Sequence, residues 1–399
     1  MPGNYDLQGP ALFADPYPLY HRLRADYPVH LDSRLGCWIV TSYADVVAGL
    51  ANRDFSSERA RQRHMLRGEG WQQLGPLFFH IGNLMFFADP PRHTQIRSLI
   101  NNAFSARMVQ RWRSRIQDTV DELLRPLQEQ ASMDIIHDLA HPLPMRVIAD
   151  MLGVPVADRP QFKSWSDDLV YFLGNAPNLE KCQQLLESLT HFMDYFRTIL
   201  HQHRLSPQDD LIDVLVHAED RGVTLTEEEL LVNCVGFFAG GHETTTNLIG
   251  NGMLALLRNP QELGRLQEHP DLYPAAIEEL LRYDSPVQFT ARMARETTEI
   301  GGKKIYKGMS VMFMLGAANR DPARFQEPDT LHLSRQDNRH LAFGSNIHYC
   351  IGAALARLEG QIAIETLLRR MPDIRLAGFP LQWQENLSFH GLTALPVTF

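Results

Sequence analysis

One cysteine in the chain stands where a thiolate could serve as a metal ligand. Cys350 ends the run Phe343-Gly344-Ser345-Asn346-Ile347-His348-Tyr349-Cys350, and Ile351-Gly352 then leads into an alanine- and leucine-rich stretch. A sulfur on a tight turn just before a helix is stabilised as an anion by N–H donors and the helix dipole. A lone thiolate of this kind suits a haem iron, and such ligation favours O–O cleavage over reversible oxygen carriage. A free cysteine is also a common small core hydrophobe, so the sulfur alone decides nothing.

A second set of residues could handle protons. Gly240-Gly241-His242-Glu243-Thr244-Thr245 places an acid beside a hydroxyl directly after two glycines. Oxygen bound to a haem needs two protons before its bond breaks; Thr244 with ordered water could donate them while Glu243 resupplies the network. The plain alternative is a threonine pair bonding back to helix carbonyls. Glu279-Leu280-Leu281-Arg282 sets opposite charges three apart on a helix, and Arg335 could complete a buried Glu–Arg–Arg knot that holds the cysteine loop.

These residues need positioning elements, and the pattern supplies mostly helices. Thr226-Glu227-Glu228-Glu229 has capping-box form, and the apolar periodicity after it runs to about Arg258, where Asn259-Pro260 stops it. That helix is long enough to cross a domain, and Gly240-Gly241 in its interior is costly unless something approaches the backbone closely. Asp89-Pro90-Pro91 opens a helix that puts His93 and Arg97 on one face. Asp15-Pro16-Tyr17-Pro18 starts a first helix, and Pro28 to Thr41, broken at Gly36, reads as a small hairpin. Arg59 to Phe87 lacks sustained periodicity and reads as a long loop with short helical turns. From Met108 to Met371 most of the pattern is helical, punctuated at Gly153-Val154-Pro155, Gly174-Asn175-Ala176-Pro177 and Ser206-Pro207. Strand signals from Gln288 to Met293, Glu299 to Ile305 and Val311 to Phe313 form a small sheet.

Composition bounds the class. With 44% hydrophobic and 21% charged residues over 399 positions, the chain can build a sizeable core. A formal charge of -9 argues against bulk attraction to nucleic acid. Cys37, Cys182, Cys234 and Cys350 are too scattered for a zinc or iron–sulfur pattern and too few for a disulfide scaffold, which fits a reducing cytoplasm. The first residues lack signal-peptide character, and no stretch has the apolar length of a membrane span.

Taken together, Phe343 to Gly352, Gly240 to Thr245, Glu279 to Arg282 and Ala318-Asn319-Arg320-Asp321-Pro322 resemble the motifs of a soluble bacterial cytochrome P-450 monooxygenase, over nearly the entire chain. The resemblance implies a mainly α fold, a triangular helical prism with a long central helix and small β-sheets. It implies one domain over residues 1–399 with no fused reductase. The cofactor would be haem b (iron protoporphyrin IX), with O2 as oxidant and electrons from NAD(P)H through separate ferredoxin and ferredoxin reductase, or flavodoxin. Cys350 would bind the iron, and His93, Arg97, Arg292 and His348 the propionates. Phe343 would pack on the cysteine side, and Gly241 and Gly352 would complete the cofactor contacts. Asn346 departs from the glycine usual in the family, though asparagine tolerates left-handed backbone.

The same resemblance implies further roles. The basic run Arg107, Arg111, Arg113 and Arg115 would be either a solvated helix face or a docking patch for an acidic electron donor. An apolar substrate pocket would draw on Leu84, Met85, Leu169, Phe172, Phe237, Gly240, Val287, Phe289 and Leu392. Gln288 to Arg292 and the ending Leu395 to Phe399 are similar to members that oxidise macrolide, polyketide or fatty-acyl chains. The expected activity is therefore insertion of one O2-derived oxygen atom into a C–H or C=C bond of an apolar small molecule, free or carrier-bound, in specialised metabolism. The enzyme would be a cytoplasmic monomer without nucleic-acid or membrane partners. Alternatives are a peroxide-driven oxygenase and a non-catalytic haem sensor or carrier.

Overall fold

The computed structural model describes residues 5–7, 9–59, 70–101, 103–175, 178–208, 210–218, 222, 224–378 and 380–399. Residues 60–69 of the expected 59–87 loop, and Ala176-Pro177, lie outside the described residues.

The helices in chain order are α1 (Pro10–Ala14), α2 (Tyr17–Asp26), α3 (Tyr43–Ala51), α4 (Gly75–Gly82), α5 (Arg92–Asn101), α6 (Ala106–Arg111) and α7 (Arg113–Leu124). After them come α8 (Pro142–Met151), α9 (Arg159–Gly174), α10 (Leu179–Leu205), α11 (Leu211–Val216) and α12 (Glu227–Arg258). Then follow α13 (Pro260–Glu268), α14 (Tyr273–Tyr283), α15 (Leu315–Asn319) and α16 (Ala353–Arg370). The strands are β1 (Val29–Asp32), β2 (Cys37–Val40), β3 (Phe55–Ser56), β4 (Ser132–Asp134), β5 (Phe289–Ala294), β6 (Thr298–Ile300), β7 (Lys303–Ile305) and β8 (Ser310–Met314). Four short strands close the chain: β9 (Arg375–Leu376), β10 (Gln382–Trp383), β11 (Leu392–Ala394) and β12 (Pro396–Thr398). The fold is mainly helical with small sheets. Among the described residues no helix is long and apolar enough to cross a membrane.

The chain divides into two compact units, one of residues 1–55, 112–144 and 244–399, the other of residues 56–111 and 145–243. In the first, the hairpin β1–β2 turns at Gly36, whose φ of 63° suits glycine. β2 then pairs in parallel with β8, which pairs antiparallel with β5, giving the order β1-β2-β8-β5-β3. The strands expected between residues 288 and 313 thus join the N-terminal hairpin, except β6 and β7, which make their own hairpin. Val40, Val46, Phe313, Val311, Ile305 and Leu315 form the buried cluster under the sheet. Elsewhere in this unit α16 packs against α7 and α14.

The second unit is built on an aromatic cluster. The Phe162 ring lies 4.8 Å from Phe192 and 5.2 Å from Phe238, with Phe192 and Phe196 stacked at 5.6 Å. Spaced along α9, α10 and α12, these rings join the three helices by edge and offset contacts.

Two features depart from the sequence expectation. The stretch before Phe87 contains the eight-residue helix α4, not only turns; Pro76 starts it, and Leu77, Phe78 and Ile81 are its buried face. No strand was expected between Met108 and Gln288, where most of the pattern is helical, yet β4 lies there, three residues long and paired with β12, far away in sequence. Alternation cannot be read in three residues, so local pattern could not reveal it.

Candidate active site

The cysteine turn is made by two left-handed residues. Gly344 has φ 70° and Asn346 φ 58°, so asparagine takes the conformation that glycine would otherwise supply. The Gly344 N–H donates to Leu341 O at 2.8 Å, Tyr349 N–H to Asn346 O at 3.1 Å, and Cys350 N–H to Phe343 O at 2.9 Å. α16 begins at Ala353, with Gly352 as its N-cap. Cys350 is exposed, whereas Cys37, Cys182 and Cys234 are buried. A Cβ at Gly352 would stand 4.0 Å from the Cys350 sulfur, an ordinary van der Waals contact.

The loop before the turn is held by the expected knot. Glu279 and Arg282 on α14 are both fully buried, with Arg282 Nε and Nη2 donating to Glu279 at 2.8 Å each. Arg335 Nε donates to both Glu279 oxygens at 3.1 Å, and Asn338 Nδ2 and the His332 N–H add bonds of 3.1 and 3.0 Å. Arg282 also donates to Asn319 O, Pro328 O and Thr330 O, and Arg335 to Gln326 O, so a buried charge network organises bare backbone carbonyls. Asn319, from the expected Ala318–Pro322 motif, accepts the Leu341 N–H at 2.6 Å, just ahead of Phe343.

The nominated cationic residues fall in both units. In the first, Arg292 on β5 is buried, its Nη1 donating to Thr290 Oγ1 and Ala291 O at 2.9 Å each; His348 is half-buried in the cysteine turn. In the second, His93 is 1% exposed and Arg97 half-buried one turn further along α5. α5 is fastened at its start: Arg92 forks onto Glu229, and Asp89 accepts from Ser56 Oγ at 2.5 Å and Ser57 N–H at 2.9 Å. Of the basic run, Arg107, Arg111, Arg113 and Arg115 are all exposed.

α12 is capped as its sequence implies, Thr226 Oγ1 accepting from Glu229 N–H at 3.2 Å while Glu229 accepts from Thr226 N–H at 2.9 Å. Its interior glycines differ in purpose. A Cβ at Gly241 would come within 3.2 Å of Ile148, whereas Gly240 faces open space. His242, which the sequence reading passed over, is completely buried; its Nδ1 donates to Phe238 O at 3.2 Å. Its Nε2 lies 3.9 Å from Oε2 of the buried Glu243. Thr244, the next residue, is half-buried.

The nominated pocket residues separate by exposure. Leu84, Leu169 and Leu392 are at most 1% exposed, and Leu84 rests on the backbone at Gly236. Met85 is also buried. Phe172, Phe237, Gly240, Val287 and Phe289 retain accessible surface, with Phe237 against Phe104 at 5.3 Å and Phe172 against Phe78 at 6.4 Å. Besides His242, the sequence reading missed Glu278, His340 and Arg357 beside the cysteine turn. Their only signals were the Glu278-Glu279 doublet and an arginine two helical turns past Cys350.

The sequence profile of the family described as Cytochrome P450 matches residues 73–371. The "Biotin biosynthesis cytochrome P450" of Bacillus subtilis (strain 168) is 39% identical over 388 residues, 96% of this chain and 96% of that protein. The "Polyketide biosynthesis cytochrome P450 PksS" of the same organism is 37% identical over 395 residues, again 96% of each. Among solved structures, P450BioI in complex with hexadec-9Z-enoic acid ligated acyl carrier protein superposes with a TM-score of 0.90 at 38% identity, covering 98% of this chain and 99% of that one. With the fold, the cysteine turn and the Glu–Arg–Arg knot in agreement, the chain belongs to the cytochrome P450 family and is a monooxygenase that works with haem iron and O2.

Proposed function

We propose that this monooxygenase hydroxylates or epoxidises a fatty-acyl or polyketide chain, free or attached to a carrier protein, in a biosynthetic pathway. What carries the oxygenase part of the reading is the exposed Cys350 thiol on its two-residue left-handed turn, ahead of α16. By the family resemblance Cys350 would hold the iron and His93, Arg97, Arg292 and His348 the two carboxylates, and the chemistry of that donor set, a thiol with arginines and histidines, suits a haem. When bound, the haem supplies the oxygen chemistry. Glu243 and Thr244, adjacent on α12, hold and pass protons, and the apolar contacts that the family resemblance assigns to the substrate include Phe172, Phe237, Val287 and Phe289, each of which keeps some accessible surface.

The substrate class is supported by the names of the relatives, one in biotin biosynthesis and one in polyketide biosynthesis, and by the solved structure of P450BioI with an acyl carrier protein carrying a fatty acid. Electrons would arrive from a ferredoxin and its reductase, or a flavodoxin, in the cytoplasm, with the exposed arginines 107, 111, 113 and 115 available to an acidic donor. The test is a spectral titration of the haem-loaded protein with free long-chain fatty acids, acyl carrier protein conjugates, terpenes and steroids, followed by turnover with NAD(P)H, reductase and ferredoxin. Displacement of iron-bound water by acyl ligands, and product formed only with the redox partners, is the expected result. Tight response to terpenes or steroids alone would refute the substrate class, and equal turnover with peroxide would refute the electron route.

A further inference from the structure

The cysteine turn is also gripped from a direction that its own motif does not include. Arg357 on α16 donates from Nε to Glu278 Oε1 at 2.5 Å and from Nη2 to Glu278 Oε2 at 2.9 Å. The same Nη2 donates to Tyr349 Oη at 3.2 Å, and the guanidinium lies over the Phe343 ring, 4.5 Å from its centroid. One side chain therefore touches both Tyr349, which precedes Cys350, and Phe343, whose carbonyl accepts the Cys350 N–H.

The far end of this contact is itself anchored. His340 Nδ1 accepts the Ala342 N–H at 3.2 Å, which leaves Nε2 as the protonated nitrogen, donating to Glu278 Oε2 at 3.1 Å. Burial alone would raise the Glu278 carboxyl, but the bonds from His340 and Arg357 bring it down to about 2. A surface ion pair contributes little, because water screens it and both side chains lose freedom. Here the pair is forked, two-thirds covered and shared with a histidine and a tyrosine, which makes it a fixed element of the turn.

We propose that Arg357, braced by Glu278 and His340, is a positioning residue for the Cys350 thiolate: it clamps Phe343 and Tyr349 and sets the local charge at the turn. With His340 neutral, the Arg357–Glu278 pair sums to zero. Removing the arginine leaves a negative charge there, and removing the carboxylate leaves a positive one. The inference rests on Cys350 being the iron ligand, since only then does that charge act on the iron.

The experiment uses the haem-loaded full chain and its Arg357→Gln, Arg357→Lys and Glu278→Gln variants. Midpoint potentials are measured together with the spectrum of the reduced, carbon monoxide-bound protein. An added electron is disfavoured by negative charge, so R357Q should lower the potential and E278Q raise it, each by about ten-fold in the one-electron equilibrium, on the order of 59 mV. R357K keeps the charge but loses the fork; its potential should stay near wild type. In haem-free protein, R357Q and R357K should both speed modification of the Cys350 thiol by a thiol reagent, since the clamp is looser. Shifts of the same sign in R357Q and E278Q, or none, would overturn the electrostatic role. Unchanged thiol reactivity would overturn the clamp. If R357Q does not fold, the rise in E278Q and the thiol rate in R357K still decide. Cys350→Ala is the separate control: a thiolate-type spectrum surviving in it would refute the ligand assignment itself, not the role of Arg357.

Discussion

Glu279→Leu should be among the most destabilising single changes available near the cysteine loop. Arg282 is fully buried, and Glu279 is the only carboxylate among its described partners, the others being backbone carbonyls and the Phe325 ring. Deleting one member of a buried pair strands the other charge away from water, at about 3–5 kcal/mol. Unfolding entropy of about 2.1 cal/mol/K per residue over 399 residues gives roughly 0.84 kcal/mol/K. The melting midpoint should therefore fall by ~4–6 °C. Differential scanning calorimetry on the haem-free and haem-loaded protein measures this, the first isolating the fold from cofactor binding. The double variant Glu279→Leu/Arg282→Met removes the stranded charge as well, and Arg335, 10% exposed, can turn toward solvent. Its loss should be smaller than the sum of the single losses by about 1–3 kcal/mol. A drop under about 1 °C in Glu279→Leu, or strict additivity in the double variant, would show that the knot is no coupled buried network.

Three further outcomes are expected. Thr244→Ala should release reduced oxygen as peroxide in place of product, read as product formed per NAD(P)H consumed, and Glu243→Gln should slow turnover by about 10²-fold, read as the rate of product formation; undiminished coupling removes Thr244 from the proton path, and an unchanged rate removes Glu243. Glu278 is held at about 2 against an ordinary 4.5, so its contribution is present above pH 4.5 and is lost as pH falls from there toward 2. Melting midpoints across that window should drop more steeply in wild type than in Glu278→Gln, and parallel curves would refute the assignment. Asn346→Gly should leave the turn intact, whereas Asn346→Val, forced to φ near 58°, should cost about 1–2 kcal/mol and reduce haem retention.

What was legible in the sequence was whatever the chain encodes locally. The capping box at Thr226, the stop at Asn259-Pro260 and the left-handed tolerance of Asn346 each depend on neighbours within a few residues, and each stands in the structure as read. The Glu279–Arg282 pair is equally local, and Arg335, in the turn-rich segment after Pro328, joins it as expected. What escaped depends on distant partners. β4 exists only because β12 lies beside it, and His242 is notable only because α12 buries it fully next to the carboxyl of Glu243. The basic run was ambiguous for the opposite reason: exposed arginines carry no packing signature, so the sequence left solvated face and docking patch equally open.

The two adjacent acids of α14 explain why one short helix matters so much to a turn far along the chain. Successive residues on a helix point about 100° apart, so Glu278 and Glu279 cannot serve the same partner. Glu279 turns inward to Arg282, Arg335 and Asn338 and fixes residues 326–338; Glu278 turns to His340 and Arg357 and fixes residues 340–349. The segment leading to Cys350 is thereby tied at both ends to one rigid element, with Asn319 catching its middle at Leu341. A loop held at three points by charge-assisted and backbone bonds has little freedom to lose when a ligand binds, which is the condition for a thiolate to present one geometry to a metal. Removing one acid alone, as in Glu278→Gln beside an intact Glu279, should therefore loosen one end of the loop and leave the other fixed.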